Sequence, residues 1–130
     1  LAFINHVNQG LSVVIGDKDE IQRVVTNLID NAIKYTEKGE IHLFLEQRDA
    51  FIEFAVKDTG VGIGLPKDQF GKLFERFFQE RPMVDGAGVG LAICKNIIDV
   101  HKGTLWAESE GRGNGSTFKF TLPIAQQAIS

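Results

Sequence analysis

The sequence predicts an α+β domain. It should be a two-layer α/β sandwich whose mixed, largely antiparallel sheet is covered on one face by about three helices. Three observations lead there. Segments with alternating apolar and polar residues occur along the chain, as in FIEFAVKD (Phe51–Asp58) and STFKFTLPI (Ser116–Ile124). Between them stand stretches with apolar residues at helical spacing, the longest carrying Ile21, Val24, Val25, Leu28, Ile29, Ala32 and Ile33. Turn signals separate these segments, and one-sided helices can bury their stripes against a single sheet face.

Taken in order, LAFINHV (Leu1–Val7) and LSVVI (Leu11–Ile15) are β-rich and are divided by the turn signal Asn8-Gln9-Gly10. Asp17 opens a helix, with Glu20 three residues on as in a capping box, and the apolar stripe runs to about Thr36. Lys38-Gly39 ends it. EIHLFLEQ (Glu40–Gln47) and FIEFAVKD, joined by Arg48-Asp49-Ala50, read as an antiparallel hairpin. Pro66 precedes a short helix, Lys67–Phe78, with Phe70, Leu73, Phe74 and Phe77 on one side. Gln79–Gly88 reads as a mobile polar loop, and Val89–His101 returns to helical spacing through Leu91, Cys94, Ile97 and Ile98. GTLWAES (Gly103–Ser109), the turn GRGNG and the last strand complete the chain.

A length of 130 residues at 43% apolar content suits one compact domain. Fourteen basic against 17 acidic residues give a net charge of -3, which offers no basic field to a nucleic-acid backbone. A single cysteine, Cys94, excludes an internal disulfide and a four-cysteine zinc site, and its apolar helical setting predicts a buried structural thiol. No apolar run reaches the ~18–20 residues of a membrane span, and no signal-peptide pattern is present. The chain starts at Leu1 without a Met, so a fragment of a longer protein is expected, whose own membrane attachment stays open.

Two glycine clusters stand out: DTGVGIG at Asp58–Gly64 and GAGVGLAI at Gly86–Ile93. Period two puts Asp58 on the same face as Ile52, Phe54 and Val56, the face roofed by helices. A carboxylate there is costly without hydrogen-bond donors. Asp58 either caps the turn that follows its strand or accepts from an amino group of a bound base. In the second case Gly60, Gly62 and Gly64 let the backbone approach the ligand. GAGVGLAI leads into a helix, whose first N–H groups and positive dipole end suit phosphate. Its spacing, Gly86-x-Gly88-x-Gly90, is neither GxGxxG nor a P-loop.

The first helix adds TNLIDNAIKYT. Asn27 and Asn31 stand at i, i+4, with Lys34 and Tyr35 three and four residues beyond Asn31, on one polar stripe. The stripe is either plain solvent-facing surface or a set of ligands. An amide oxygen suits Mg²⁺, Lys34 could meet phosphate oxygens, and Tyr35 could pack on a base or ribose.

Together these motifs resemble the catalytic ATP-binding domain of sensor histidine kinases, within the wider gyrase/Hsp90/MutL type of ATP-binding fold, the Bergerat fold. NLIDNAIKYT is similar to the N box, DTGVGIG to the first glycine box, FGKLFERFF to the F box and GAGVGLAI to the second glycine box, in family order. The resemblance covers essentially the whole chain and includes the terminal GNGSTFKFTLP. It implies that Asn31 ligates Mg²⁺ with help from Asn27, that Lys34 contacts the ATP phosphates and Tyr35 the adenosine. Asp58 would read the adenine amino group, with Gly62 and Ile63 forming the pocket floor and Gly60 also against the nucleotide. Phe77 of the F box would join the nucleotide site. Gly86, Gly88, Gly90 and Leu91 would hold the phosphates, residues 74–88 would be the ATP lid, and Ser116 would support Asp58 through a water. The chain departs from the family pattern at Gln79, where a basic residue is frequent, leaving Arg76 or Arg81 to substitute. It departs again at Lys102, where HGG is commoner.

Fold relatives that hydrolyse ATP place a Glu where this chain has Asn27. A carboxylate can take a proton from attacking water and an amide cannot, so transfer is expected over hydrolysis. His6 and His42 lie within strand patterns, and His101 ends a helix, where a cation would complement the dipole. None has the context of a phosphoacceptor. The resemblance implies a cytoplasmic, monomeric kinase domain, 1–130, acting on a histidine of a dimerisation and phosphoacceptor domain that precedes residue 1, with a response regulator downstream. The alternatives are a nucleotide-binding interaction module with impaired catalysis and a self-contained ATPase.

Overall fold

The computed structural model describes residues 2–7, 16–75 and 89–124. Its elements are β1 (Ala2–Val7), α1 (Lys18–Tyr35), β2 (Glu40–Arg48), β3 (Phe51–Asp58), a 3₁₀ helix (Lys67–Phe74), α2 (Val89–Val100), β4 (Thr104–Glu108) and β5 (Ser116–Pro123). Five strands form one sheet in the order β1-β2-β3-β5-β4. β1 and β2 are parallel, because α1 carries the chain back between them, whereas the remaining neighbours are antiparallel. The expected mixed, largely antiparallel sheet with helices on one face is therefore what forms.

Alternation along the strands builds the core. Phe54 and Val56 of β3 and Phe118, Phe120 and Leu122 of β5 are buried together, joined by Leu105 and Ala107 of β4. Above them lie Val24, Leu28 and Ala32 of α1, Cys94, Ile97 and Ile98 of α2, and Phe70 and Leu73 of the 3₁₀ helix. The outer face carries charge instead: Arg48 pairs with Glu46 and Glu53, and Lys119 with Glu108. That is the pattern of an antiparallel sheet wetted on one side.

Several local details differ from the expectations. Arg48 belongs to β2, which shortens the hairpin link to Asp49-Ala50, with Asp49 at a φ of 51°. The helix after Pro66 is 3₁₀ and ends at Phe74, whose ring meets that of Phe118 edge-on at 6.1 Å. The expected continuation over residues 76–78, the loop to Gly88 and the LSVVI segment lie outside the described residues. Asp17 is the N-cap of α1, its Oδ1 accepting from the N–H groups of Asp19 and Glu20 at 3.0 and 3.1 Å. The capping box is not completed by Glu20, however, since the Asp17 N–H donates to His101 Nε2 at 3.0 Å.

That bond also corrects the expected charge of His101. A ring nitrogen that accepts from a backbone N–H carries no proton, and Nδ1 faces the Ile97 carbonyl oxygen at 2.7 Å, so Nδ1 holds it. His101 is a neutral strut between the end of α2 and the start of α1, not a cation at a helix terminus. Lys102, in place of a glycine, takes a φ of 63°, and the Lys102 and Gly103 N–H groups close α2 on the carbonyls of Asp99 and Ile98.

Candidate functional site

Asp58 lies on the helix-facing side of the sheet, 3% exposed, as the alternation of β3 demands. In the register its neighbours are Ile41 of β2 on one side and Ser116 of β5 on the other. The desolvation cost of this carboxylate is met by local donors. Oδ1 accepts from the Gly60 N–H at 2.9 Å and the Ser116 N–H at 3.2 Å, and Oδ2 accepts from the Ser116 hydroxyl at 2.8 Å. Asp58 thus does cap its turn, and Ser116 reaches it directly where a bridging water was expected.

The glycines of the Asp58–Gly64 segment have intramolecular reasons to be glycine. A Cβ on Gly60 would collide with the Tyr35 carbonyl oxygen and stand 2.6 Å from Thr36 Oγ1. Gly62, at a φ of 74°, packs its Cα on the Gly111 carbonyl, and Gly64 lies under the guanidinium of Arg112. The close approach they permit is to the protein's own backbone at the end of α1 and to the loop between β4 and β5. Ile63 is buried in the core cluster.

On α1, Asn27 and Asn31 are half-buried, Lys34 is exposed in the last turn and Tyr35 is half-buried. The Tyr35 carbonyl accepts from the Val61 N–H at 3.0 Å, which joins the end of α1 to the first glycine segment. Asn27 faces α2. It neighbours the Cys94 thiol, which itself donates to the Val24 carbonyl at 3.9 Å, and a Cβ on Gly90 would stand 3.9 Å from its Cγ. Burial pushes Cys94 up from 9.0 to about 11, with the neighbouring Asn27 amide pulling the other way, so the thiol is inert as expected. Gly90 is exposed and Leu91 half-buried in the first turn of α2, which has no acidic residue. An anion meets no like charge from that turn.

The structure therefore brings Asn27 to Gly90, and Tyr35 to Gly60 and Val61, with Ser116 on Asp58. Phe77, Gly86 and Gly88, together with Gln79, Arg76 and Arg81, lie outside the described residues. Three participants escaped the sequence reading. Thr59 Oγ1 accepts from the Glu40 N–H at 3.0 Å and pins the glycine segment to β2. Thr36 caps α1 with its hydroxyl buried against Gly60, without a hydrogen-bond partner among the described residues. Ser109 accepts from the Ile63 N–H at 3.1 Å. The last had a legible signal: it continues the inward phase of Leu105 and Ala107, so a buried polar group was due there.

Residues 16–126 match the family described as histidine kinase-, DNA gyrase B- and HSP90-like ATPase. The adaptive-response sensory kinase SasA of Thermosynechococcus vestitus is 42% identical over 127 residues, which cover 94% of this chain and 32% of that protein. The sensor histidine kinase WalK of Bacillus subtilis is 36% identical over 85% of this chain and 19% of its own length. The chain thus spans a third or less of these two relatives. Among solved structures, full-length ShkA in complex with AMPPNP is similar with a TM-score of 0.82 and 31% identity, over 98% of this chain and 26% of that one. A nucleotide-free catalytic domain of the histidine kinase ThkA matches with a TM-score of 0.79 and 31% identity, over 96% of this chain and 81% of that one. The fold, the ordered motifs and these relatives lead to one assignment: the chain belongs to the histidine kinase-, DNA gyrase B- and HSP90-like ATPase family, on its histidine kinase branch.

Proposed function

We propose that this domain binds Mg-ATP and transfers the γ-phosphate to a histidine on a separate helical dimerisation and phosphoacceptor domain of the same parent protein, within two-component signalling. The observation that carries the reading is the Asp58 carboxylate. A carboxylate offers about four lone-pair sites. Among the described residues two N–H groups donate to Oδ1 and one hydroxyl to Oδ2, which leaves room for a further donor on Oδ2. An exocyclic amino group of adenine is a donor of the right kind for it.

Phosphates would lie at the start of α2, where Gly90 is exposed and the first turn lacks a carboxylate. Among the described residues no group of three or more His, Cys, Asp or Glu converges on a metal position. A divalent ion held by the Asn31 amide and the substrate's own phosphate oxygens fits that donor set and is the habit of Mg²⁺. Such an ion would neutralise charge on the transferring phosphoryl group, with Lys34 adding a second positive charge. Asn27, an amide beside Cys94, has no basic oxygen with which to take a proton from water. An imidazole needs no such base, since its neutral nitrogen already carries a lone pair.

The acceptor belongs outside this chain in the proposal because His42 and His101 are otherwise engaged. Both ring nitrogens of His101 are hydrogen-bonded, and His42 Nε2 contacts Glu40 at 3.1 Å. Relatives several times longer than this chain have room for the acceptor and for a sensor. No helix among the described residues is long and apolar enough to cross a membrane, and a cytoplasmic location, where ATP and a response regulator are available, belongs to the proposal. Incubation with γ-labelled ATP tests it. The chain alone should stay unlabelled and label an added cognate acceptor domain. Self-labelling at His101 would overturn transfer in trans, and binding without any transfer would leave a nucleotide-sensing module.

A further inference from the structure

The loop between β4 and β5 holds the Asp58–Ile63 segment along its whole length. Ser116 meets Asp58, the Gly115 N–H donates to the Gly60 carbonyl at 3.2 Å, and the Gly113 N–H donates to the Val61 carbonyl at 2.7 Å. The far end is tied by a side chain, since Ser109 Oγ accepts from the Ile63 N–H at 3.1 Å. The same hydroxyl donates to the Gly115 carbonyl at 2.7 Å and accepts from the Gly111 N–H at 3.1 Å. One buried hydroxyl thus closes its own loop and fastens that loop to the residue after Gly62.

The segment Thr59–Leu65 has no regular secondary structure, so no ladder of its own fixes its path. Its geometry comes from the partner loop. Gly62 and Gly115, at φ of 74° and 70°, allow the contact, Gly62 resting on the Gly111 carbonyl and Gly115 on the Asp58 carbonyl. Without the Ser109 hydroxyl, the Ile63 N–H and the Gly115 carbonyl would be buried and unpaired. The cheapest remedy is for the segment to shift toward water. Binding geometry tolerates displacements of only about 0.5 Å.

We infer that Ser109 is a positioning residue for the nucleotide: it touches no ligand, and it sets the path of the Gly60–Ile63 backbone on which the adenine rests. The inference depends on the proposed adenine pocket at Asp58, and the test separates the two. Mg-ADP is titrated calorimetrically into the 130-residue chain and into its Ser109→Ala, Ser109→Cys, Ser109→Thr and Asp58→Ala variants, well below their melting temperatures. Amide exchange of Ile63 is followed in each. The Ala and Cys variants should bind roughly tenfold more weakly, part of the cost of leaving those two buried groups unpaired. Ser109→Thr, which keeps the hydroxyl, should recover most of that loss. Ile63 exchange should quicken in Ala and Cys but not in Asp58→Ala.

A merely structural hydroxyl would lower the melting temperature and leave affinity alone. A folded Ser109→Cys protein that binds like the parent, or a Thr variant no better than Ala, overturns the inference while binding lost in Asp58→Ala still upholds the pocket. An Ile63 amide in the parent that exchanges like an unstructured one overturns it however the variants fold. Absence of any nucleotide binding by the parent chain overturns both.

Discussion

Ser116 stands directly opposite Asp58 in the register of β3 and β5, and its hydroxyl donates to Asp58 Oδ2 at 2.8 Å while its N–H donates to Oδ1 at 3.2 Å. One residue thus anchors both oxygens of the buried carboxylate. Ser116→Ala keeps the backbone bond and loses the other, which should cost about 1–2 kcal/mol in urea denaturation. It should also weaken Mg-ADP binding several-fold. Asp58→Ala should abolish that binding in calorimetry, and an unchanged affinity would remove Asp58 from the base pocket.

Asn31 is the proposed amide ligand of the metal. Asn31→Ala should flatten the dependence of ATP affinity on Mg²⁺ concentration without lowering thermal stability by more than a degree or two, because the side chain is only half-buried. Affinities measured with Mg²⁺ and with EDTA in both proteins decide it. An equal Mg²⁺ response sinks the ligand role.

The glycines should differ sharply in what they tolerate. A methyl group on Gly60 would meet the Tyr35 carbonyl, a backbone atom that cannot swing away, so Gly60→Ala should destabilise by roughly 2 kcal/mol or more. Gly71, in the 3₁₀ helix, has nothing within 4 Å of its Cβ direction. Gly71→Ala should be neutral or should stabilise by up to about 1 kcal/mol through the unfolded chain. Melting temperatures of the two variants should move in opposite directions or differ by several degrees.

Cys94 predicts a loss of stability in alkali. Its thiol ionises near 9.0 in the ordinary state and near 11 when buried here. Between those values the unfolded chain holds fewer protons than the folded one, so stability falls as pH rises through the window and is whole below it. The contribution is on the order of 2–3 kcal/mol. Urea titrations at pH 8 and pH 10.5 should show the decline in the parent and a smaller one in Cys94→Val, the difference cancelling other alkaline groups. Native protein should also resist thiol reagents.

Much of the fold and part of the site were legible in the residues. The strands of the hairpin, the span of α1, the inward phase of Asp58 and the buried thiol each follow from side-chain period, which is a local property. What could not be read was which distant groups would meet. Glu20 fits the third position of a capping box, yet His101 takes the Asp17 N–H from 84 positions away, because α2 ends where α1 begins. The charge of His101 changed with that partner. Ser109 was legible in phase but not in purpose.

By itself, then, the sequence determined the element types, the sheet face on which Asp58 lies and the family that its four ordered motifs resemble, since period and motif spacing are written along the chain. Only the tertiary structure decided that Asp58 is satisfied by Gly60 and Ser116, that the glycines of its segment admit Tyr35 and Gly111, and that Asn27 faces Cys94 and Gly90. The physical reason is the buried polar group. Each must find a partner once water is removed, and the partner is chosen by strand register and helix packing across dozens of residues, which no local pattern encodes.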